Sequence, residues 1–162
     1  MRVSVPEDLG PGHRKRQRGF TLLELMLALV VVATLAALAT SAYGSYMEQG
    51  KVSQAEEDIT AIEARIALYQ STNGALPTSL AQIGEGTLLD PWGHPYYYLD
   101  FTGLKSNAQM RKDRNLVPIN SDYDLYSVGA DGASMPPLVV PVSQDDVIRA
   151  DNGGYIGLAS AY

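Results

Sequence analysis

The chain has no cysteine, only two histidines and a single tryptophan among its 162 residues. The absence of cysteine removes any disulfide framework, so the loops need another staple or none. Two histidines without cysteine leave too few ligands for a conventional zinc site. No nucleophile elbow and no phosphate-cradling glycine loop occurs. Carboxylates are plentiful, yet none stands in a context that marks a general acid. Two further absences are local. No charged residue occurs from Leu25 to Met47, and no proline between Phe20 and Leu76. The uncharged run of about 23 residues is long enough for a helix to span a hydrocarbon layer of ~30 Å.

What precedes that run is unusual. Arg14-Lys15-Arg16-Gln17-Arg18 leads into Gly19-Phe20-Thr21-Leu22-Leu23, and Glu24 follows inside the apolar stretch. An ionised carboxylate in hydrocarbon costs a few kcal/mol unless it is paired, so Glu24 requires a reason. Residues 1–19 carry five Lys/Arg and two acids, a net +3, while the remainder carries seven basic and sixteen acidic residues, a net −9. Basic residues ahead of an apolar segment place that end in the cytoplasm and the acidic remainder across the membrane. The acidic remainder argues against nucleic acid, whose binding depends on neutralising phosphates. Two plainer readings stand beside a specialised one. A secretory signal peptide is one, with a small-residue site at Ala37-Leu38-Ala39, although the apolar run exceeds the usual h-region. A signal anchor is the other, and it leaves Glu24 without a role.

Beyond Met47, Val52, Ala55, Ile59, Ile62, Ile66 and Tyr69 recur at helical spacing, with Glu56, Glu57, Glu63 and Arg65 on other faces. Asn73-Gly74 and Pro77 form a stop signal. The pattern predicts one helix from about Phe20 to Thr72, apolar all round in its first half and amphipathic in its second. Gly44 and Gly50 are its weakest points, at ~1 kcal/mol each against alanine. Pro77–Ile83 predicts a helical turn, Tyr96–Phe101 and Tyr123–Val128 predict strands, and Leu116–Ile119 is a weaker strand candidate. Lys105–Arg114 reads as a loop, and everything from Gly129 onward as irregular. No internal repeat is present. The expected architecture is α+β, a long N-terminal helix packed on a small antiparallel sheet with an irregular C-terminal loop region. Residues 1–19 form a leader, 20–47 the apolar half of the helix, and 48–162 a globular domain that includes the amphipathic half.

Gly19-Phe20-Thr21-Leu22-Leu23-Glu24 resembles the class III signal of type IV pilins and pseudopilins. Tyr69–Thr78 resembles the end of the pseudopilin helix. Asp90-Pro91-Trp92-Gly93-His94-Pro95-Tyr96 and Tyr123–Gly132 resemble signatures of the major pseudopilin of type II secretion systems. The resemblance implies cleavage between Gly19 and Phe20 by a prepilin peptidase and N-methylation of Phe20. It implies that Glu24 of an incoming subunit pairs with the N-terminal amine of a neighbour, which lowers the cost of burying either charge. The implied product is a periplasmic pseudopilus that drives protein export and is not an enzyme. Its implied partners are further copies of the chain, minor pseudopilins, the peptidase and an inner-membrane platform. The implied location is the inner membrane, single-pass, with the C-terminal domain in the periplasm. The alternative is a type IV pilin of a surface pilus, which shares the processing motif.

The same resemblance implies calcium in the loop after the last strand. Hard oxygen donors are abundant there, namely Asp131, Ser134, Ser143, Asp145, Asp146 and Asp151. The expected ligand set is the Val128 carbonyl with Asp131, Ser143, Asp145 and Asp146, and the competing reading is a solvated acidic loop. Pro136-Pro137-Leu138-Val139-Val140-Pro141 departs from the family's glycine-rich sequence at this place. Trp92 with Tyr96, Tyr97 and Tyr98 is expected as core and contact surface in preference to a ligand platform. His94 is expected to be structural, and His13 to lie in the leader.

Overall fold

The computed structural model describes residues 19–162. The expected leader, His13 included, lies outside the described residues apart from Gly19. The chain divides into two compact units between Ala42 and Tyr43.

Helix α1 runs Leu22–Asn73, 52 residues, and both Gly44 and Gly50 lie inside it. Thr21 caps its start, the Glu24 N–H donating to Thr21 Oγ1 at 3.2 Å. Gly74 closes it in the left-handed region, at φ +73°, where its N–H returns to the Gln70 carbonyl at 2.8 Å. An L side chain rarely adopts that conformation, so Asn73-Gly74 is a stop for a steric reason.

In the first unit, helical residues 22–40 are exposed. Leu22 is 77% accessible, Leu29 70% and Leu38 72%. Among the described residues α1 is the one helix long and apolar enough to cross a membrane.

In the second unit the periodic positions face inward. Ala55, Ile59, Ile62 and Ile66 are each at most 1% accessible, and they pack with Leu80, Tyr96, Tyr123, Leu125 and Val147. Each fully buried isoleucine contributes roughly 1.5–3 kcal/mol. The sheet that covers them has four antiparallel strands in chain order, β1 (Tyr97–Asp100), β2 (Tyr123–Ser127), β3 (Val147–Ala150) and β4 (Tyr155–Leu158). Tyr97 pairs with Tyr126, Tyr126 with Ile148, and Ile148 with Gly157. The pleat sends Tyr123, Leu125 and Val147 to the helix. Ile148 and Ala150 go to a second cluster with Ile119, Leu138 and Ala159. Both faces of the sheet are therefore covered, one by α1 and the other by loop and C-terminal residues.

The expected α+β class is what forms, with two differences in the tail and one upstream. Residues 129–146 carry no strand, but Val147–Ala150 and Tyr155–Leu158 do. Each is only four residues long, and Arg149 and Gly157 interrupt their apolar character. Leu116–Ile119 is not a strand, since Leu116 makes only an isolated bridge with Asp113. The turn expected at Pro77–Ile83 is a 3-10 helix, Leu80–Ile83.

A buried cation joins helix and sheet. Arg149 is 3% accessible; its Nε donates to Glu63 Oε1 at 2.8 Å, and its Nη1 and Nη2 to the Asp122 carboxylate at 2.9 Å each. The guanidinium stacks over the Tyr123 ring at 4.0 Å. Two carboxylates and an aromatic face give the burial of this charge adequate compensation.

Candidate functional site

Two places carry the chemistry that the sequence singles out. The first is the start of α1. Gly19 and Phe20 precede the helix, and Glu24 sits in its first turn. A carboxylate there is favoured by the positive end of the helix dipole, a modest effect of ~0.3–1 kcal/mol. Phe20 is 77% accessible and Leu23 76%. The Gly19–Phe20 bond therefore lies in exposed, non-helical backbone beside a lone carboxylate on an apolar helix.

The second place is the pair of turns that flank the sheet. Asp90 organises them. Its Oδ1 accepts the Trp92 N–H at 3.1 Å and the His94 N–H at 2.8 Å, while its Oδ2 accepts the Ser127 hydroxyl at 2.5 Å. Ser127 Oγ in turn accepts the Gly129 N–H at 3.1 Å. His94 Nδ1 stands 3.1 Å from the Gly129 carbonyl, so this histidine bridges the two motifs. A Cβ on Gly129, at φ +65°, would meet the Asp145 carbonyl oxygen at 2.3 Å, which only glycine avoids. The aromatics serve packing. Tyr96 is buried and donates to Asp58 Oδ2 at 2.8 Å, and burial pushes its hydroxyl pKa upward. Tyr97 stacks on Tyr126, Tyr98 lies against Tyr123, and Trp92 Nε1 donates to Glu48 Oε1 at 2.7 Å.

The expected calcium ligands are brought together only in part. Asp145 Oδ2 accepts the Asp131 N–H at 3.0 Å, and Asp131 Oδ1 accepts the Ala133 N–H at 2.9 Å, so these two acids share one turn. Val128 immediately precedes that turn and is buried. Ser143 points elsewhere. Its hydroxyl accepts the Met135 N–H at 2.9 Å and donates to the Met135 carbonyl at 2.8 Å. Asp146 points elsewhere too, to the Arg111 guanidinium and to Ser134. Asp151 is a further donor placed apart, accepting the Tyr162 hydroxyl at 2.8 Å. Among the described residues no three His, Cys, Asp or Glu side chains are grouped to hold a metal ion. Burial raises the Asp146 carboxyl to about 6, against the opposing hydrogen bond from Ser134 and the charge of Arg111. Burial also raises Asp124, against hydrogen bonds from the Arg111 backbone and Asn120.

Sequence reasoning missed Arg111, which it left within a loop, Glu48 as the acceptor of the Trp92 indole and Asp90 as a hydrogen-bonding hub. The Asp-Pro-Trp-Gly turn signal could have identified Asp90 as an Asx acceptor. Nothing in the local sequence distinguishes Arg111 from its exposed neighbours Lys105 and Arg114.

Comparison with known proteins adds the following findings. Residues 14–40 match the prokaryotic N-terminal methylation motif. The chain is 34% identical over 141 residues to the type II secretion system core protein G of Pseudomonas aeruginosa, covering 74% of this chain and 88% of the relative. It is 30% identical to the core protein G of Klebsiella pneumoniae over 82% of this chain and 94% of the relative. A fimbrial protein, EcpC of Eikenella corrodens, is 34% identical over 68 residues, 42% of this chain. No solved structure matches.

Proposed function

The chain belongs to the type II secretion system core protein G family, and from that premise we propose that it is a structural subunit that polymerises into a periplasmic pseudopilus. One observation carries the reading. A helix with an exposed apolar surface through the first unit begins with a single carboxylate four residues after Phe20, inside a methylation motif spanning residues 14–40. Exposed leucines of this kind need a cover. Lipid supplies it before assembly, and the same helix in other copies supplies it afterwards. Heterologous, non-closing contacts between identical subunits build a helical fibre.

The carboxylate decides register. Cleavage after Gly19 exposes the Phe20 amine, and Glu24 of one copy neutralises the amine of another. The chain holds its leader in the cytoplasm and its second unit in the periplasm, in line with the net +3 of residues 1–19 and the basic-inside rule. Its partners are further copies, minor pseudopilins, the prepilin peptidase and the inner-membrane platform. The subunit performs no chemistry, a reading supported by its likeness to secretion-system core proteins. The surface-pilus reading draws on the EcpC match, which spans 42% of the chain against 74% for the first core protein G.

Mass spectrometry of the mature chain from its host is the test. The expected N-terminus is methylated Phe20, and in-cell cross-linking is expected to give a ladder of oligomers. An intact leader with monomers only on cross-linking overturns the proposal.

A further inference from the structure

The uncharged run in α1 ends within the second unit. Leu25–Met47 carries no charge, and Glu48, Gln49 and Lys51 follow it closely. At this boundary stand large side chains that no described residue covers. Tyr43 is 67% accessible, Tyr46 73% and Met47 46%, all within the second unit. Tertiary structure brings a further ring to the same place. Trp92, the only tryptophan in the chain, arrives from a turn and donates its indole N–H to Glu48 Oε1 at 2.7 Å, a contact across 44 residues. Lys51 Nζ stands 6.0 Å from the Trp92 ring centroid. Tyr46, Met47, Lys51 and Pro91 line one open groove, so the turn that carries Trp92 abuts the helix here. Asp90 fixes that turn by accepting the Trp92 and His94 N–H groups.

Each member of this set suits a boundary between water and lipid. Tyrosine and tryptophan present an apolar ring and a polar tip, a combination enriched at the headgroup level of bilayers. The Trp92 N–H is already paired, so the indole enters that layer without an unsatisfied donor. Lys51 makes no ion pair with a carboxylate among the described residues, and its apolar stem lets the ammonium reach outward. Glu48, three residues earlier, keeps Oε2 for another donor. Together they offer one charge of each sign, complementary to the phosphate and the ammonium of a zwitterionic headgroup. From Tyr46 to Lys51 the helix rises about 7.5 Å. That matches the ~5–8 Å headgroup layer on each side of the hydrocarbon. The second unit as a whole carries seven basic and fifteen acidic residues, a net −8. General attraction to an anionic surface is therefore disfavoured, and the contact is local.

We propose that Tyr43, Tyr46, Met47, Lys51 and Trp92 form a collar that seats this end of the second unit in the headgroup layer of a zwitterionic phospholipid bilayer, with Lys51 on the lipid phosphate and Glu48 on its ammonium. The inference rests on the reading that lipid covers the apolar half of α1 before assembly. It adds that a turn of the sheet domain, through Trp92, shares the contact. Depth in the bilayer is thereby set by two segments distant in sequence, which the Glu48–Trp92 hydrogen bond holds together.

The experiment uses the full-length chain reconstituted into phosphatidylcholine vesicles, diluted so that copies seldom meet, with Trp92 as a native reporter. Spin labels are carried either on the lipid headgroup or deep on the acyl chain. The headgroup label is expected to quench Trp92 fluorescence strongly and the deep label weakly. Lys51→Gln combined with Tyr46→Ser changes two residues outside the core. That variant is expected to lose about half of the headgroup quenching, with the thermal unfolding midpoint unmoved. Quenching equal to wild type in the variant overturns the proposal. Vesicle flotation separates this inference from the reading it rests on. A chain that floats with the vesicles while Trp92 escapes both labels overturns the collar and leaves membrane anchoring intact. A chain that does not float overturns the anchoring and the collar with it. Shielding of Trp92 from aqueous iodide that rises only as copies are concentrated assigns this face to a second copy, and the proposal falls.

Discussion

The two halves of α1 are one helix in two environments. Leu22, Leu29 and Leu38 are 70–77% accessible, whereas Ile59, Ile62 and Ile66 are at most 1% accessible. Secondary structure is the same in both halves. The source of burial differs, because the second half is covered by the chain's own sheet while the first is left exposed. Helicity alone therefore says little about stability; burial of a face supplies most of it. On the proposed function the division also separates roles, with the amphipathic half serving folding and the apolar half serving assembly.

The sharpest way to break this comparison is a substitution that touches one half only. Glu24→Ala is expected to abolish filaments, with secretion falling to the level of a deletion, while the melting midpoint of the second unit stays where it was. Filaments of normal yield by electron microscopy would refute the pairing role of Glu24. The next largest effect is expected at Arg149→Gln, which leaves Glu63 and Asp122 without the cation that joins helix to sheet. A loss of about 3–5 kcal/mol is expected by chemical denaturation, as for other broken buried pairs. Ile62→Ala is expected to cost about 2–5 kcal/mol by the same measurement, whereas Val31→Ala in the apolar half leaves that unfolding curve unmoved. Equal losses for the two would erase the distinction between the halves.

A smaller effect concerns pH. Burial raises the Asp124 carboxyl above the ordinary carboxylate range. Between the unfolded value and its own higher folded value, the folded chain holds a proton that the unfolded chain has released. This group's contribution to stability therefore falls as pH rises through that window. Asp124→Asn is expected to flatten that part of the stability profile, read from urea midpoints across the acid range.

Much of this fold was legible from periodicity and punctuation. The spacing of Val52, Ala55, Ile59, Ile62 and Ile66 marks a buried stripe, and Gly74 ends the helix because an L side chain resists its positive φ. Tyr123–Ser127 was legible through its apolar and aromatic run between turns. Strands β3 and β4 were not, because four residues containing Arg149 or Gly157 carry too little pattern, and their pairing is decided by partners distant in sequence. The processing junction was legible because a charge within an apolar run is conspicuous wherever the chain folds. The expected metal ligands came from the family resemblance together with residue type, and neither can say which way Ser143 or Asp146 turns.

The sequence by itself determined the long helix, its change from apolar to amphipathic, the charge asymmetry across it and the conspicuous acid at its start, since each depends only on neighbours within a few turns. Tertiary structure decided which charges are buried and with whom. Arg111 with Asp146, and Arg149 with Glu63 and Asp122, are separated by 35, 86 and 27 residues. Pairs so distant meet only when the sheet has formed, and the low dielectric that makes them strong exists only inside the finished fold.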